Sequence, residues 1–116
     1  MYDVIPYPDN DNALINSLLA DIKKSGDNKN YNDFKRFTES LSLHGFEINT
    51  KFKKNALRKI EDDLYELRPL KFRIMVTHFQ NVFYLLNGFF KDTNKTPNKE
   101  KEIAKHYIQE IKQNTK

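Results

Sequence analysis

The 116-residue sequence contains no cysteine and no tryptophan, and only three glycines and four prolines. Without cysteine the chain has no disulfide framework, thiolate zinc site, iron–sulfur cluster or cysteine nucleophile. Three glycines are too few for a glycine-rich phosphate-binding loop. The longest apolar run, residues 82–86 (VFYLL), is far too short to span a bilayer. The amino terminus lacks the basic start and apolar stretch of a signal peptide, so we expect a cytoplasmic protein.

The size of the chain predicts one domain over residues 1–116. A two-domain enzyme with separate cofactor and substrate lobes is therefore excluded. Nine phenylalanines and six tyrosines supply bulky material for a core, although 31% of the residues are charged.

The net charge of +4 conceals an asymmetry along the chain. Residues 1–50 carry five basic and eight acidic groups, whereas residues 51–116 carry fifteen basic and eight acidic groups. Between Arg68 and Lys99 there are six basic residues and one acid, Asp92. Such a stretch favours a polyanionic partner, because neutralised phosphates release counterions. A solvated basic surface without a specific ligand is the alternative.

Hydrophobic periodicity predicts an α+β fold in the order strand, two helices, three antiparallel strands and helix. In the N-terminal half we predict a short strand at residues 2–7, a helix through residues 14–22 that Gly26 ends, and a helix at 30–43. Three strands follow at 64–68, 71–79 and 82–91, with a hairpin tip at 80–81. The last helix has Thr96 as its N-cap and Pro97 as its first residue. Residues 56–60 are compatible with one helical turn. We expect the helices to cover one face of the sheet and to leave the other face open.

Arg73 alternates with Phe72, Ile74 and Val76 in the predicted second strand of the meander, so it belongs to the opposite, open face. Arg68 ends the preceding strand. Two adjacent guanidinium groups repel each other unless an anion bridges them, and arginine matches phosphate geometry through its planar fork. The prediction of an anion site fails if the two arginines lie far apart or are buried in internal ion pairs. Surface charge that blunts strand pairing is the alternative.

Two lysines, Lys91 and Lys95, flank residues 92–94 in a loop that leaves the sheet, where ligands are often bound. The last helix directs its positive end toward the same region. The spacing of the three histidines matches no metal motif, and His78 lies near a hairpin tip within reach of a substrate. The acidic residues 61–63 (EDD) either bind a metal or balance nearby lysines; we favour the second interpretation.

Four sequence blocks resemble the phage-derived, HigB-like branch of the RelE/ParE superfamily of toxins. The blocks are residues 64–68 (LYELR), 72–74 (FRI), 85–91 (LLNGFFK) and 93–97 (TNKTP), followed by a helix rich in Glu and Lys. The resemblance covers about residues 56–112. It implies a RelE-like fold, in which two N-terminal helices and a C-terminal helix pack on a small antiparallel sheet. The sequence departs from the family pattern at Phe72, Asn87 and Asp92, where Tyr, His and Lys are common.

The resemblance implies the toxin of a type II toxin–antitoxin pair, an mRNA interferase that inhibits translation. Such toxins enter the ribosome and cut mRNA without a metal or other cofactor. By position in the motifs, the catalytic residues are Arg68, Arg73, Lys91 and Lys95. Further RNA contacts are predicted at Lys51, Lys53, Lys54, Lys71 and His78. Glu66, His78 and the lysines at 51–54 are the candidates for the general base.

The expected partners are the ribosome, mRNA and a cognate antitoxin, a HigA-like helix-turn-helix protein, in a heterotetramer of two toxins and two antitoxins. The antitoxin would mask the basic face or use the acidic N-terminal half as its docking surface. Two alternative functions remain at this point. One is a ParE-like toxin that inhibits gyrase, and the other is a nucleic-acid-binding module without catalysis.

Overall fold

The computed structural model describes residues 1–8, 13–69, 71–91 and 95–114. The strands are β1 (Asp3–Pro6), β2 (Leu57–Glu61), β3 (Leu64–Leu67), β4 (Phe72–Phe79) and β5 (Val82–Phe90). The helices are α1 (Leu14–Lys24), α2 (Asn28–His44), the short α3 (Ile48–Lys51) and α4 (Asn98–Asn114), with a 3₁₀ turn at Gly45–Glu47 between α2 and α3. Predicted helices and strands are thus found, with β2 and α3 in addition.

The five strands form one sheet in the order β1-β5-β4-β3-β2. β2 to β5 are antiparallel neighbours, whereas β1 pairs with β5 in parallel and makes the sheet mixed. The turn between β4 and β5 consists of the predicted residues Gln80 and Asn81, and Gln80 has a φ of 57°. The β1 strand lies at the edge, as its Pro6 requires.

Local signals explain the bounds of α2, which packs beside α1. The side chain of Asp27 accepts a hydrogen bond from the backbone N–H of Asn30 at 3.2 Å and caps the N-terminus. Gly45 ends the helix with a φ of 57°, a backbone conformation that residues other than glycine rarely adopt.

The N-terminus of α4 differs from the prediction. The helix begins at Asn98, and the Pro97 carbonyl accepts the first helical hydrogen bond, from the Lys101 N–H.

Helices cover both faces of the sheet, so the expectation of one open face is wrong. The first core lies between the sheet and α1 and α2, and includes Ile15, Phe37, Phe72, Ile74, Val76, Phe83 and Leu85. The second core lies between the other face and α4, and consists of Leu64, Met75, Leu86, Ala104, Ile108 and Ile111. The prediction failed because Met75 and Leu86 supply the apolar surface that α4 needs, although polar residues flank them.

A β-bulge in β5 decides which residues face which core. Met75 pairs with Asn87 and Val76 with Leu85, so Leu86 is an additional residue without a partner on β4. Before the bulge, Leu85 faces the first core; after it, Asn87 contacts α4. Gly88 faces α1, since a Cβ there would lie 2.5 Å from Cδ2 of Leu18.

Within the described ranges, none of the helices combines the length and apolar character required to cross a membrane.

Candidate functional site

Glu66 is the centre of a polar cluster on the sheet face that α4 covers. It lies in β3, opposite Met75 of the second core, and its side chain is 5% exposed. Its Oε2 accepts a hydrogen bond from the Thr96 hydroxyl at 2.8 Å. A buried carboxylate requires partners of this kind, because desolvation without them costs several kcal/mol (order of magnitude).

Arg68 and Arg73 both lie beside this carboxylate. Oε1 of Glu66 is 3.6 Å from Nε of Arg68 and 3.9 Å from Nε of Arg73. The two arginines are therefore neighbours, as predicted, and the bridging anion is a carboxylate of the same chain. This finding contradicts the prediction that the pair awaits an external anion on an open face. The stated condition for failure, burial in an internal ion pair, is met by Arg73, which is 9% exposed, and not by Arg68, which is 27% exposed.

The two arginines differ in exposure. The side chain of Arg73 is 9% exposed, and its Nη1 donates to the carbonyl oxygens of Pro69 and Phe72, each at 2.9 Å. Burial lowers the pKa of Arg73, and the nearby charge of Arg68 lowers it further, while Glu66 opposes both effects. The side chain of Arg68 is 27% exposed. Arg68 thus reaches solvent in this conformation, and Arg73 is held by internal contacts.

The segment that leads into α4 covers the cluster. Besides the Thr96 hydrogen bond, Nδ2 of Asn87 donates to the backbone oxygen of Glu100 at 3.1 Å and to its Oε1 at 3.0 Å. Asn87 occupies the position where the resembling toxins commonly carry His, and here it ties β5 to α4. The start of α4 is thus attached to two positions of the sheet, Glu66 on β3 and Asn87 on β5, which flank Met75 of β4.

Two depressions flank this segment. The larger, of about 670 Å³, is lined by Phe89, Phe90, Lys95, Thr96, Pro97, Asn98 and Glu100. The smaller, of about 230 Å³, is lined by Arg58, Ile60, Lys95, Thr96, Asn98 and Lys101. The predicted residue Lys95 lines both of them. Lys91 is exposed, and its N–H donates to the Lys71 carbonyl, so these two predicted lysines are neighbours at one end of the sheet. Residues 92–94 of the predicted binding loop lie outside the described ranges.

Arg58 is a cationic residue of this face that the sequence analysis did not single out. It pairs with Glu66 across β2 and β3, and Glu66 in turn flanks Met75 in β4. The sequence around Arg58 is compatible with a helical turn, so the pairing of Arg58 with Glu66 in adjacent strands was not predicted. In the structure Leu57 lies in the first core, and strand geometry places Arg58 on the opposite face.

The other predicted RNA contacts lie elsewhere. His78 contacts the rings of Tyr2, Phe46 and Phe83 on the face of the first core. Burial lowers the pKa of His78, and its Nε2 is buried without a hydrogen-bond partner in the described part of the chain. Nζ of Lys53 lies over the ring of Phe37, 5.7 Å from its centroid, in the same layer. The fold therefore does not bring these two residues to the arginine cluster.

The remaining predicted lysines of that segment, Lys51 and Lys54, are exposed. They lie between Ile48 and Ala56, which both pack into the first core. This position separates the two lysines from the face that carries Glu66, Arg68 and Arg73.

The acidic residues 61–63 pair with lysines, in agreement with the favoured interpretation. Glu61 lies 3.8 Å from Lys101 and 3.4 Å from Lys105, and Asp63 lies 2.7 Å from Lys112. All three lysines are on α4, with Lys101 and Lys105 one turn apart, so the contacts help to hold α4 against β2 and the turn that follows it. Among the described residues, no group of three or more His, Asp and Glu side chains is arranged to hold a metal.

Fold and site together define a class: a small α+β protein with a five-stranded mixed sheet, consistent with a RelE-like fold, and with guanidinium groups gathered on one sheet face. Within this class, the chain belongs to the phage-derived Gp49-like family. The matching family model is described as "Phage derived protein Gp49-like (DUF891)" and covers residues 16–109, which is most of the chain. No protein of established function matches the chain in a search of curated sequences.

Proposed function

We propose that this protein is the toxin of a type II toxin–antitoxin system, of the HigB-like kind, and that it cuts mRNA bound to the ribosome. The observation that carries the proposal is the convergence of Arg68 and Arg73 on one carboxylate, beside the start of α4. Membership in a toxin-like family supports it. The ribosome as target makes the cytoplasm the site of action.

The proposed reaction is attack by a ribose 2′-oxygen on the adjacent phosphorus. The 2′-O–P bond forms and the P–O5′ bond breaks, which leaves a 2′,3′-cyclic phosphate and a 5′-hydroxyl. A base takes the 2′ proton, an acid gives a proton to the 5′ oxygen, and cations stabilise the added negative charge of the transition state. No metal is required, since guanidinium and ammonium groups supply the positive charge.

RNA would displace the Glu66 carboxylate from the arginines. Arg68 is accessible to a phosphate directly, whereas Arg73 becomes accessible only when the Thr96–Glu66 contact opens, because its side chain is 9% exposed. A phosphodiester that replaces the carboxylate keeps both guanidinium groups paired with an anion, so the exchange avoids an unpaired buried charge. Lys91 and Lys95, both exposed, would contact the flanking backbone.

Glu66 is the general base in this proposal. Of the three candidates from the sequence, His78 and the lysines at 51–54 lie on the side of the first core, and Glu66 alone lies on the arginine face. A carboxylate released from Thr96 and displaced by the phosphate is free to accept the 2′ proton. Lys91 or Lys95 would supply the proton for the leaving oxygen.

The proposed partner is a small HigA-like antitoxin with a helix-turn-helix domain, in a complex of two toxins and two antitoxins. Positive charge on the α4 side and the acidic N-terminal half offer it two different surfaces. A short reading frame for a DNA-binding protein next to this gene would support this part of the proposal.

Induction of the protein in a bacterial host tests the function. We expect growth arrest, arrest of translation and cuts in mRNA within translated codons. The Arg68→Gln/Arg73→Gln double variant should restore growth while circular dichroism still reports a folded protein. The matched control is Arg36→Gln, because Arg36 lies on α2 with an exposed side chain, which pairs with Asp33 and lies over the ring of Phe52, outside the arginine cluster. Unchanged toxicity of the double variant rejects the site.

A second candidate function is a ParE-like toxin that inhibits gyrase by binding it. The burial of Arg73 and its two hydrogen bonds to backbone carbonyls favour this candidate, because they are what a purely structural arginine requires. Induction separates the two functions. DNA damage with intact mRNA indicates the gyrase inhibitor, mRNA cuts indicate the nuclease, and normal growth indicates a binding module without toxicity.

A further inference from the structure

Three of the four arginines of the chain lie on one side of the sheet around Glu66. Arg58 faces Glu66 directly across the β2–β3 pair, while Arg68 and Arg73 contact the Glu66 carboxylate. The carboxylate is turned toward Arg68, Arg73 and Thr96, and Arg58 forms no ion pair with any described residue. An exposed guanidinium group next to a buried ion cluster is therefore available to an external anion.

The surroundings of Arg58 are concave and cationic. The depression of about 230 Å³ is lined by three cationic residues, Arg58, Lys95 and Lys101, together with Ile60, Thr96 and Asn98. Thr96 also borders the Glu66 cluster through its hydroxyl hydrogen bond. The depression and the proposed catalytic centre thus share Lys95 and Thr96, and Arg58 lies one strand spacing, about 4.8 Å, from Glu66.

Lys101 can turn into this depression without leaving a carboxylate unpaired. It lies 3.8 Å from Glu61, but Lys105 lies closer to the same carboxylate, at 3.4 Å. Partly exposed ion pairs of this length contribute little to stability. Exchange of Glu61 for a phosphate oxygen at Lys101 therefore costs the fold little.

We propose that Arg58 and Lys101 form a second phosphate subsite, which binds the RNA phosphate next to the one that is cut. This inference rests on the proposed function and specifies how the RNA backbone runs: from the Arg68–Arg73 pair across β3 to β2. Arg58 supplies a planar fork that matches a phosphate, and Lys101 supplies a compact charge from the first turns of α4. Neither residue touches the reacting atoms, so both act in binding.

The test is mRNA cleavage on programmed ribosomes under single-turnover conditions, at several salt concentrations. For Arg58→Gln we expect the toxin concentration at half-maximal rate to rise about tenfold, as for loss of one charged hydrogen bond. The rate at saturation should stay close to that of the wild type. The slope of the logarithm of the binding constant against the logarithm of the salt concentration should become less negative by about one. Arg58→Lys should recover most of the loss.

Lys59→Gln is the matched control. Lys59 is the next residue on β2, it is exposed, and it pairs with Tyr65 of the first core, so it lies on the opposite face with the same charge. Loss of one positive charge is equal in the two variants. If Lys59→Gln and Arg58→Gln change the toxin concentration at half-maximal rate equally, binding depends only on net charge and the subsite is rejected.

Short RNAs as competitors give a second measurement. A dinucleotide, which has a single phosphate, should inhibit the wild type and the Arg58→Gln variant equally. A trinucleotide, which has two, should inhibit the wild type more strongly than the Arg58→Gln variant. Equal inhibition of both proteins by the trinucleotide overturns the subsite. The proposed function itself fails on a different result: no cleavage by the wild type, or full activity of the Arg68→Gln/Arg73→Gln variant.

Discussion

The hydroxyl of Thr96 donates a hydrogen bond of 2.8 Å to Oε2 of Glu66, and so joins the entry of α4 to the middle of β3. Thirty residues separate the two in sequence. The same carboxylate lies beside Arg68 and Arg73, so this contact places the segment that leads into α4 next to both arginines.

Substitution of Thr96 measures this contact. Thr96→Val removes the hydroxyl but keeps the shape, and we expect a loss of about 1.5 kcal/mol in the free energy of unfolding, as for a hydrogen bond to a charged acceptor. Thr96→Ser keeps the hydroxyl and is the matched control. Urea unfolding of both variants gives the values. A loss of stability in the serine variant with no loss in the valine variant would show that packing of the methyl group, and not the hydrogen bond, matters here.

Glu66→Gln removes the charge between the two arginines. We expect a loss of about 3 kcal/mol, because Arg73 remains buried without a counter-ion. Urea unfolding is the measurement. Glu102→Gln, on the exposed side of α4, removes the same charge and should change stability by less than about 0.5 kcal/mol. A Glu66→Gln variant as stable as the control would contradict the structural role of the ion cluster.

The stability of the fold should fall in mild acid because of His78. Burial lowers its pKa below the ordinary value of 6.5, so the unfolded chain binds a proton at a higher pH than the folded chain does. The contribution of neutral His78 to the free energy of unfolding is complete above pH 6.5. It is lost as the pH falls through the lower pKa of the folded state.

Thermal or urea unfolding over a pH series measures this effect. His78→Phe should flatten the decline, since a phenyl ring suits the aromatic surroundings and does not titrate. His106→Gln is the control, because His106 is exposed and pairs with Glu110 on the surface of α4. The control should retain the decline that His78 causes; a decline that persists in His78→Phe assigns it to another group.

Gly88 allows α1 to approach β5. A Cβ at this position would lie 2.5 Å from Cδ2 of Leu18 and 3.0 Å from the Arg73 carbonyl oxygen. Gly88→Ala should therefore cost about 1–3 kcal/mol through overpacking. In a double-mutant cycle, the same substitution in a Leu18→Ala background should cost less, because the nearest atom is gone. Additive losses would place the strain at the backbone contact with Arg73 instead.

Local patterns predicted most of the secondary structure. Alternation in residues 71–79 and the polar turn at Gln80 and Asn81 were sufficient for the β4–β5 hairpin, and apolar spacing was sufficient for α1 and α2. Residues 57–61 (LRKIE) carry no clear period of two, so β2 was missed, and with it the position of Arg58 opposite Glu66. The parallel pairing of β1 with β5 depends on contacts about eighty residues apart, which no local pattern reveals.

The site was predicted in part. Motif positions indicated that Arg68 and Arg73 belong together, and their distances to Glu66 agree. The burial of Arg73 could not be predicted, because it results from the Thr96 and Asn87 contacts that fix the start of α4 over the sheet. His78 was misplaced for a simpler reason. Its even position in β4, shared with Phe72, Ile74 and Val76, already assigned it to the first core.

The unpaired residue Leu86 makes the two faces of β5 exchange roles halfway along the strand. If residues 85–88 alternated strictly, without the bulge, Gly88 would turn toward α4 and Asn87 toward α1. Glu100 would then lose its amide anchor, and Leu18 would meet a polar side chain instead of bare backbone. The bulge at Leu86 therefore lets one short strand pack closely against α1 through Gly88 and hydrogen-bond α4 through Asn87.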